Sequence, residues 1–108
     1  MSRRFGMIAR LRPEKRQEYI DLHAAAWPQV EATITATGIR NFSIFLTGDV
    51  IVGYFEYVGS DYAADQAIMA ADEATQLWWA RTGPCQLPFH EESTAPNWEM
   101  LEEIWHLD

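Results

Sequence analysis

The sequence predicts an α+β fold, a ferredoxin-like βαββαβ sandwich, on three observations. Apolar residues recur every second position near the start, in the middle and at the end of the chain, the signature of half-buried strands. They recur every three to four positions in the two stretches between, the signature of amphipathic helices. The length of 108 residues is enough for one core and too short for two, so residues 1–108 read as a single domain.

Each element follows from its own residues. In "RRFGMIARL", Phe5, Met7, Ala9 and Leu11 alternate with Arg4, Gly6, Ile8 and Arg10, and the strand stops at Pro13. Pro13 then suits a first helical position and Glu14 the positive helix end, while Tyr19, Leu22, His23, Ala26 and Trp27 share one face. Pro28 lacks the amide that the carbonyl of Ala24 needs, so this helix is expected to kink or restart there and to close at Gly38. "IRNFSIFLTGDVIVGYFEYV" reads as a hairpin turning at Gly48-Asp49. Ser60 is expected to cap a second helix running to Gly83, with a break at Ala71-Asp72 and with Trp78 and Trp79 in its last turn. Residues 84–97, with three prolines and no period, read as a long loop over a site, and the alternating "WEMLEEIWHL" as the fourth strand. Two helical segments cover one sheet face only. The other face is expected to pack on a second copy, giving a dimeric α+β barrel.

Composition excludes several classes of function. The formal charge of −8, with 16 acidic against 8 basic residues, repels a phosphate backbone, so no nucleic-acid partner is expected. No window is long and apolar enough for a membrane helix or a secretory signal, so no membrane partner is expected. The single cysteine, Cys85, makes no internal disulfide and suits a reducing cytoplasm. Five tryptophans exceed what a core of this size needs, and indole faces stack well on sugar rings and flat ligands.

The chemistry-bearing residues are few. His23, His90, His106 and Cys85 show no metal-ligand spacing, and there is no phosphate-binding glycine loop or nucleophile elbow. Tyr19, His23 and Trp27 lie on one helical face, and by spacing alone they fit a packed aromatic stripe as well as a site.

The run "EYIDLHAAAWPQVEATITATGIRNFSIFL", followed by "LWWARTG", resembles the L-rhamnose mutarotases. That family is small and dimeric, and carries in the same order a Tyr-x-x-x-His, a Trp-Pro-Glu-like step, a Gly-x-x-Asn-aromatic strand and a Trp-Trp pair. The resemblance implies that His23 is the catalytic acid/base, that Tyr19 contacts the sugar and shares in the proton transfer, and that Trp78 and Trp79 line the pocket. It also brings Trp27, Pro28, Gly38 and Asn41 into register, Trp27 and Asn41 as further sugar contacts. Phe42 stands where the family has a sugar-contacting tyrosine, so one hydroxyl is missing here. The implied reaction interconverts the pyranose anomers of a 6-deoxy-L-hexose, L-rhamnose first and L-fucose next, without cofactor or metal. Two other readings share the fold: a small dimeric monooxygenase, and a sugar-binding module without turnover.

Overall fold

Strands β1 (Arg3–Leu11) and β3 (Val50–Tyr57) pair antiparallel from Arg3 opposite Tyr57 to Arg10 opposite Val50 in the computed structural model, which describes residues 2–93 and 97–108. Strand β2 (Ile39–Thr47) lies on the other edge of β3, joined to it by the expected turn at Gly48-Asp49. The remaining edge of β1 takes two short strands, β4 (Gln86–Leu87) opposite Leu11 and Arg10, and β5 (Glu99–Leu101) opposite Ile8 to Gly6. The result is a curled antiparallel half-barrel in the order β2-β3-β1 with the fourth position shared by β4 and β5.

That shared position corrects two expectations. Residues 84–97 are not wholly loop: Gln86 and Leu87 join the sheet, and Pro88, with no amide to donate, ends that ladder. Part of the expected loop, residues 94–96, lies outside the described residues. The final strand is shorter than its pattern suggests. Leu101 pairs with Gly6, so Arg3, where β1 begins, would meet residue 104, and β1 offers nothing for residues 105–108 to pair with.

Both helical stretches are broken where the sequence places a break. Helix α1 (Arg16–Ala24) and helix α2 (Pro28–Ala36) part at Trp27, which is held extended at φ −77°, ψ 127° by the proline after it. Helix α3 (Tyr62–Ala71) and helix α4 (Glu73–Thr82) part at Asp72. The Asp72 carboxylate accepts from Thr75 N at 2.9 Å and from Thr75 Oγ1 at 2.8 Å. These bonds, the side-chain one foremost, hold its pKa below the ordinary carboxylate value. The cap of α3 is Asp61 and not Ser60. The helix starts at Tyr62, so the residue whose side chain reaches the amide of Ala64, at 3.1 Å, is the one directly before it.

The inward positions of the strands make two connected cores. Met7, Ile39, Phe55 and Tyr57 pack with Met69 of α3, and Ala9, Leu11, Ile51 and Cys85 pack with Tyr19 of α1. Trp98, returning from the excursion between β4 and β5, packs against both. Tyr57 ties the first core to α3: its hydroxyl donates to Asp65 and accepts from Asp61 N at 3.0 Å. Its ring in turn fixes Gly38. A Cβ there would lie 2.9 Å from Tyr57 Cε1 and 3.2 Å from Gly59 N, on a backbone at φ +88°. Among the described residues, no helix is long and apolar enough to cross a membrane.

Gly38→Ala should lower the unfolding free energy by about 2 kcal/mol or more, from left-handed backbone strain and crowding together. Gly48→Ala, at φ +56° with nothing within 4 Å, meets only the first cost and should lose about 1 kcal/mol. Urea midpoints of the two variants against the parent check the order; equal losses would show that Tyr57 does not crowd position 38.

Candidate active site

The half-barrel and its helices line an open cavity of about 1020 Å³, just above the roughly 300–1,000 Å³ usual for ligand sites. Its apolar base is the inner side of β2 and β3, where Ile44, Leu46 and Ile51 face it. Its walls bring polar groups from distant parts of the chain: Tyr19 and His23 from α1, Glu31 from α2, Arg40 and Asn41 from β2, Thr75 and Thr82 from α4, and Gln86 from β4.

The order of rings along one wall follows from helix geometry. Tyr19 and His23, one turn apart on α1, lie with ring centroids 4.3 Å apart. The edge of His23 meets Trp78 of α4 at 5.2 Å and 71°. Tyr19 is 5% exposed, and burial pushes its phenol pKa far above the ordinary value. It is therefore a neutral hydroxyl at any physiological pH. His23 is half-buried, and its Nδ1 lies 2.9 Å from the backbone carbonyl of Tyr19. A carbonyl only accepts, so Nδ1 carries the hydrogen and Nε2 of the neutral ring is a free base. One intrahelical bond thus orients the imidazole and selects its tautomer.

The two adjacent tryptophans part company, as a 100° step along a helix requires. Trp78 is buried in the wall beside His23, whereas Trp79 is 45% exposed at the cavity's rim, and both line it. Asn41 and Phe42 reach the cavity through a β-bulge between Arg40 and Ser43, where Asn41 adopts φ +53°. Asn41 Nδ2 donates to Glu56 Oε1 at 3.2 Å, which orients its carboxamide, and the Phe42 ring leans on Phe55 at 5.6 Å. Trp27 is not brought to the cavity. It packs its edge on Trp78, at 5.2 Å, and lines a separate shallow depression with Asp21 and Arg81, because the extended turn before Pro28 carries it off the face it would share with His23.

Several cavity residues carry no local signal in the sequence. Gln86 and Asn97 come from the segment read as loop, Trp98 opens the segment read as the fourth strand, and Thr75, Thr82 and Met69 look like ordinary helix positions. Only the pairing of β4 and β5 with β1 brings the first three to the site. Among the described residues no three His, Cys, Asp or Glu side chains converge as a metal site would need. His90 is engaged with Glu99 at 2.7 Å, and His106 with Asp108 at 2.7 Å.

Comparison with known proteins agrees with this geometry. The chain matches the family described as L-rhamnose mutarotase over residues 4–107. The L-rhamnose mutarotase of Lactiplantibacillus plantarum is 30% identical over 108 residues, covering 97% of this chain and 98% of its own. That of Listeria monocytogenes serotype 4b is 34% identical over 109 residues, covering 96% and 97%. Among solved structures, an L-rhamnose mutarotase from Formosa agariphila superposes with a TM-score of 0.76 at 18% identity, over 98% of this chain and 99% of that one. A putative antibiotic biosynthesis monooxygenase from Nitrosomonas europaea superposes with a TM-score of 0.61 at 13% identity, over 96% and 91%. At such identities the two structures show a common fold and nothing of chemistry.

The buried phenol generates a pH dependence. In the unfolded chain Tyr19 ionises near 10.0, while in the folded protein it remains protonated well above that. The unfolded state thus binds fewer protons above pH 10, and stability falls as pH rises through that range. Tyr19→Phe should make the fall in urea midpoint between pH 8 and pH 10.5 shallower than in the parent. Equal slopes would show that the hydroxyl reaches solvent.

Proposed function

The chain belongs to the L-rhamnose mutarotase family, isomerases that act on carbohydrates, and from that premise we propose that His23 opens and recloses the pyranose ring of L-rhamnose, with L-fucose a second substrate. The observation that supports this most is the bond from His23 Nδ1 to the Tyr19 carbonyl, which leaves Nε2 a lone pair on the cavity wall. In the proposed step, Nε2 takes the proton of the anomeric hydroxyl. The electron pair left on that oxygen forms the carbonyl, the bond from C1 to the ring oxygen breaks, and the imidazolium returns its proton to the ring oxygen. Rotation about the C1–C2 bond and the reverse transfer close the other anomer. An imidazole both accepts and donates a proton within one cycle, which serves both directions equally.

Tyr19 in this reading donates a hydrogen bond to the sugar and does not surrender its proton, because burial disfavours the phenolate. Trp78 and Trp79 offer indole faces to the C–H faces of the ring. Asn41 supplies a polar contact, and Phe42 an apolar one where a tyrosine hydroxyl would otherwise reach the sugar. No cofactor enters the cycle. Trp27 acts from behind, bracing Trp78 through its edge.

Saturation-transfer NMR on equilibrated L-rhamnose reads exchange between the anomeric protons directly. His23→Ala should slow the enzyme-catalysed exchange about 10²-fold or more, the usual scale for a positioned acid/base group, and Tyr19→Phe should slow it less. Unchanged exchange in His23→Ala would remove His23 from the mechanism.

The proposal extends to a homodimer in the cytoplasm, joined through the sheet face away from the helices. On that face Phe45 is 63% and Leu101 46% exposed, beside the partly covered Ile8 and Val52. The C-terminal segment adds Ile104, Trp105 and Leu107, each at least 74% exposed. So much exposed apolar surface is costly in water for a chain of this size. Sedimentation at micromolar concentration should give twice the 12.4 kDa chain mass, and Phe45→Asp should shift it toward one. A monomeric parent protein would exclude the dimer.

A further inference from the structure

Gln86 is a buried polar side chain in the cavity wall. It is 7% exposed, follows the fully buried Cys85, and pairs across the ladder with Leu11, which is 1% exposed. Among the described residues its Nε2 is the single buried side-chain nitrogen or oxygen with no hydrogen-bond partner. An amide nitrogen buried in this way destabilises the folded chain, since it gives up water and gains no partner. Methionine or leucine would fill the same volume among these apolar neighbours without that cost. A position that keeps the amide nonetheless is expected to satisfy it with something the free protein lacks, and functional sites are where such local conflicts concentrate.

We propose that Gln86 is a specificity-determining residue whose carboxamide pairs with one hydroxyl of the bound sugar. The proposal rests on the mutarotase reading and deepens it. A carboxamide suits a sugar hydroxyl because each has a donor and an acceptor, so NH₂ gives to the hydroxyl oxygen while the amide oxygen receives the hydroxyl hydrogen. The last torsion of glutamine is soft, and a half turn about it exchanges which end faces the cavity. Gln86 lies on β4, held to β1 by the ladder, so its backbone is firmly placed. With Phe42 lacking the hydroxyl that relatives with tyrosine offer, Gln86 supplies hydroxyl recognition from the opposite edge of the sheet.

The test uses the whole protein, Gln86→Met and Gln86→Leu, with L-rhamnose and its 2-, 3- and 4-deoxy analogues. Without sugar, Gln86→Met should melt higher than the parent, by on the order of 5 °C, since the unpaired amide is gone. On L-rhamnose its kcat/KM should fall about tenfold to a hundredfold. One deoxy analogue should show a similar fall with the parent enzyme, and Gln86→Met should not distinguish that analogue from L-rhamnose, identifying the paired hydroxyl. Gln86→Leu should reproduce the pattern if Met packs poorly. Full activity in both variants, or equal losses on every sugar with a lowered melting temperature, would overturn the proposal in favour of a packing role. If the parent protein exchanges no anomers, the mutarotase reading fails by itself, and dissociation constants of the same sugars then decide on Gln86. A single analogue matched in parent and variant supports it, and uniform constants overturn it.

Discussion

The antiparallel ladder between β1 and β3 is the constraint from which the remaining structure hangs. Its register sets Met7, Ala9 and Leu11 on the same face as Ile51, Phe55 and Tyr57, and that face packs against Tyr19 of α1, Ile34 of α2 and Met69 of α3. A slip of one residue would turn outward-facing residues such as Ile8, Arg4 and Arg10 of β1, or Val52 and Tyr54 of β3, toward the helices. Because β1 is central, it also decides where the chain's end comes to rest. Its C-terminal end takes β4 and its middle takes β5, so the two short strands leave β1 on either side of Ala9.

The cavity exists because the helical layer is made of four short pieces. Two continuous helices would lie straight along the sheet and press their apolar stripes onto it. The breaks at Trp27-Pro28 and at Asp72 let each half follow the curl of the half-barrel, so that α1 and α4 meet through His23 and Trp78 above the base of β2 and β3. The Asp72 carboxylate makes its break stable by bonding the first turn of α4, which carries Trp78 and Trp79. Apolar surroundings then shape the chemistry. They keep Tyr19 protonated, raise the Cys85 thiol pKa chiefly by burial, and leave the imidazole of His23 oriented by a backbone carbonyl and not by a charged partner.

The outer face of the sheet shows the same economy from the other side. Arg4 ties Glu103 by two contacts, at 2.8 and 3.3 Å, and this anchors the chain as it leaves β5. Beyond it the apolar residues of the last segment find no cover within the chain. In the proposed dimer those residues and the outer sheet face would be covered together, which would make the two sheets stack back to back with one cavity on each outer side.

Much of this molecule was legible in its residues. Strict alternation in β1 and β3 revealed strands, because a sheet with one buried face admits no other pattern; Pro28 and Asp72 revealed helix breaks, because a missing amide and a capping carboxylate act locally. Tyr19 and His23 were a recognisable pair for the same reason, being one helical turn apart. The tertiary structure alone decided the rest. Whether Trp27 would face the cavity depended on the turn geometry ahead of Pro28, and how much of "WEMLEEIWHL" would be strand depended on how far its pairing with β1 runs. Gln86, Asn97 and Trp98 became cavity residues through pairing of β4 and β5 with a strand near the start of the chain, a relation that no local period records. Local chemistry writes itself into neighbouring residues, whereas the sharing of a cavity is fixed by strand register and the order of closure.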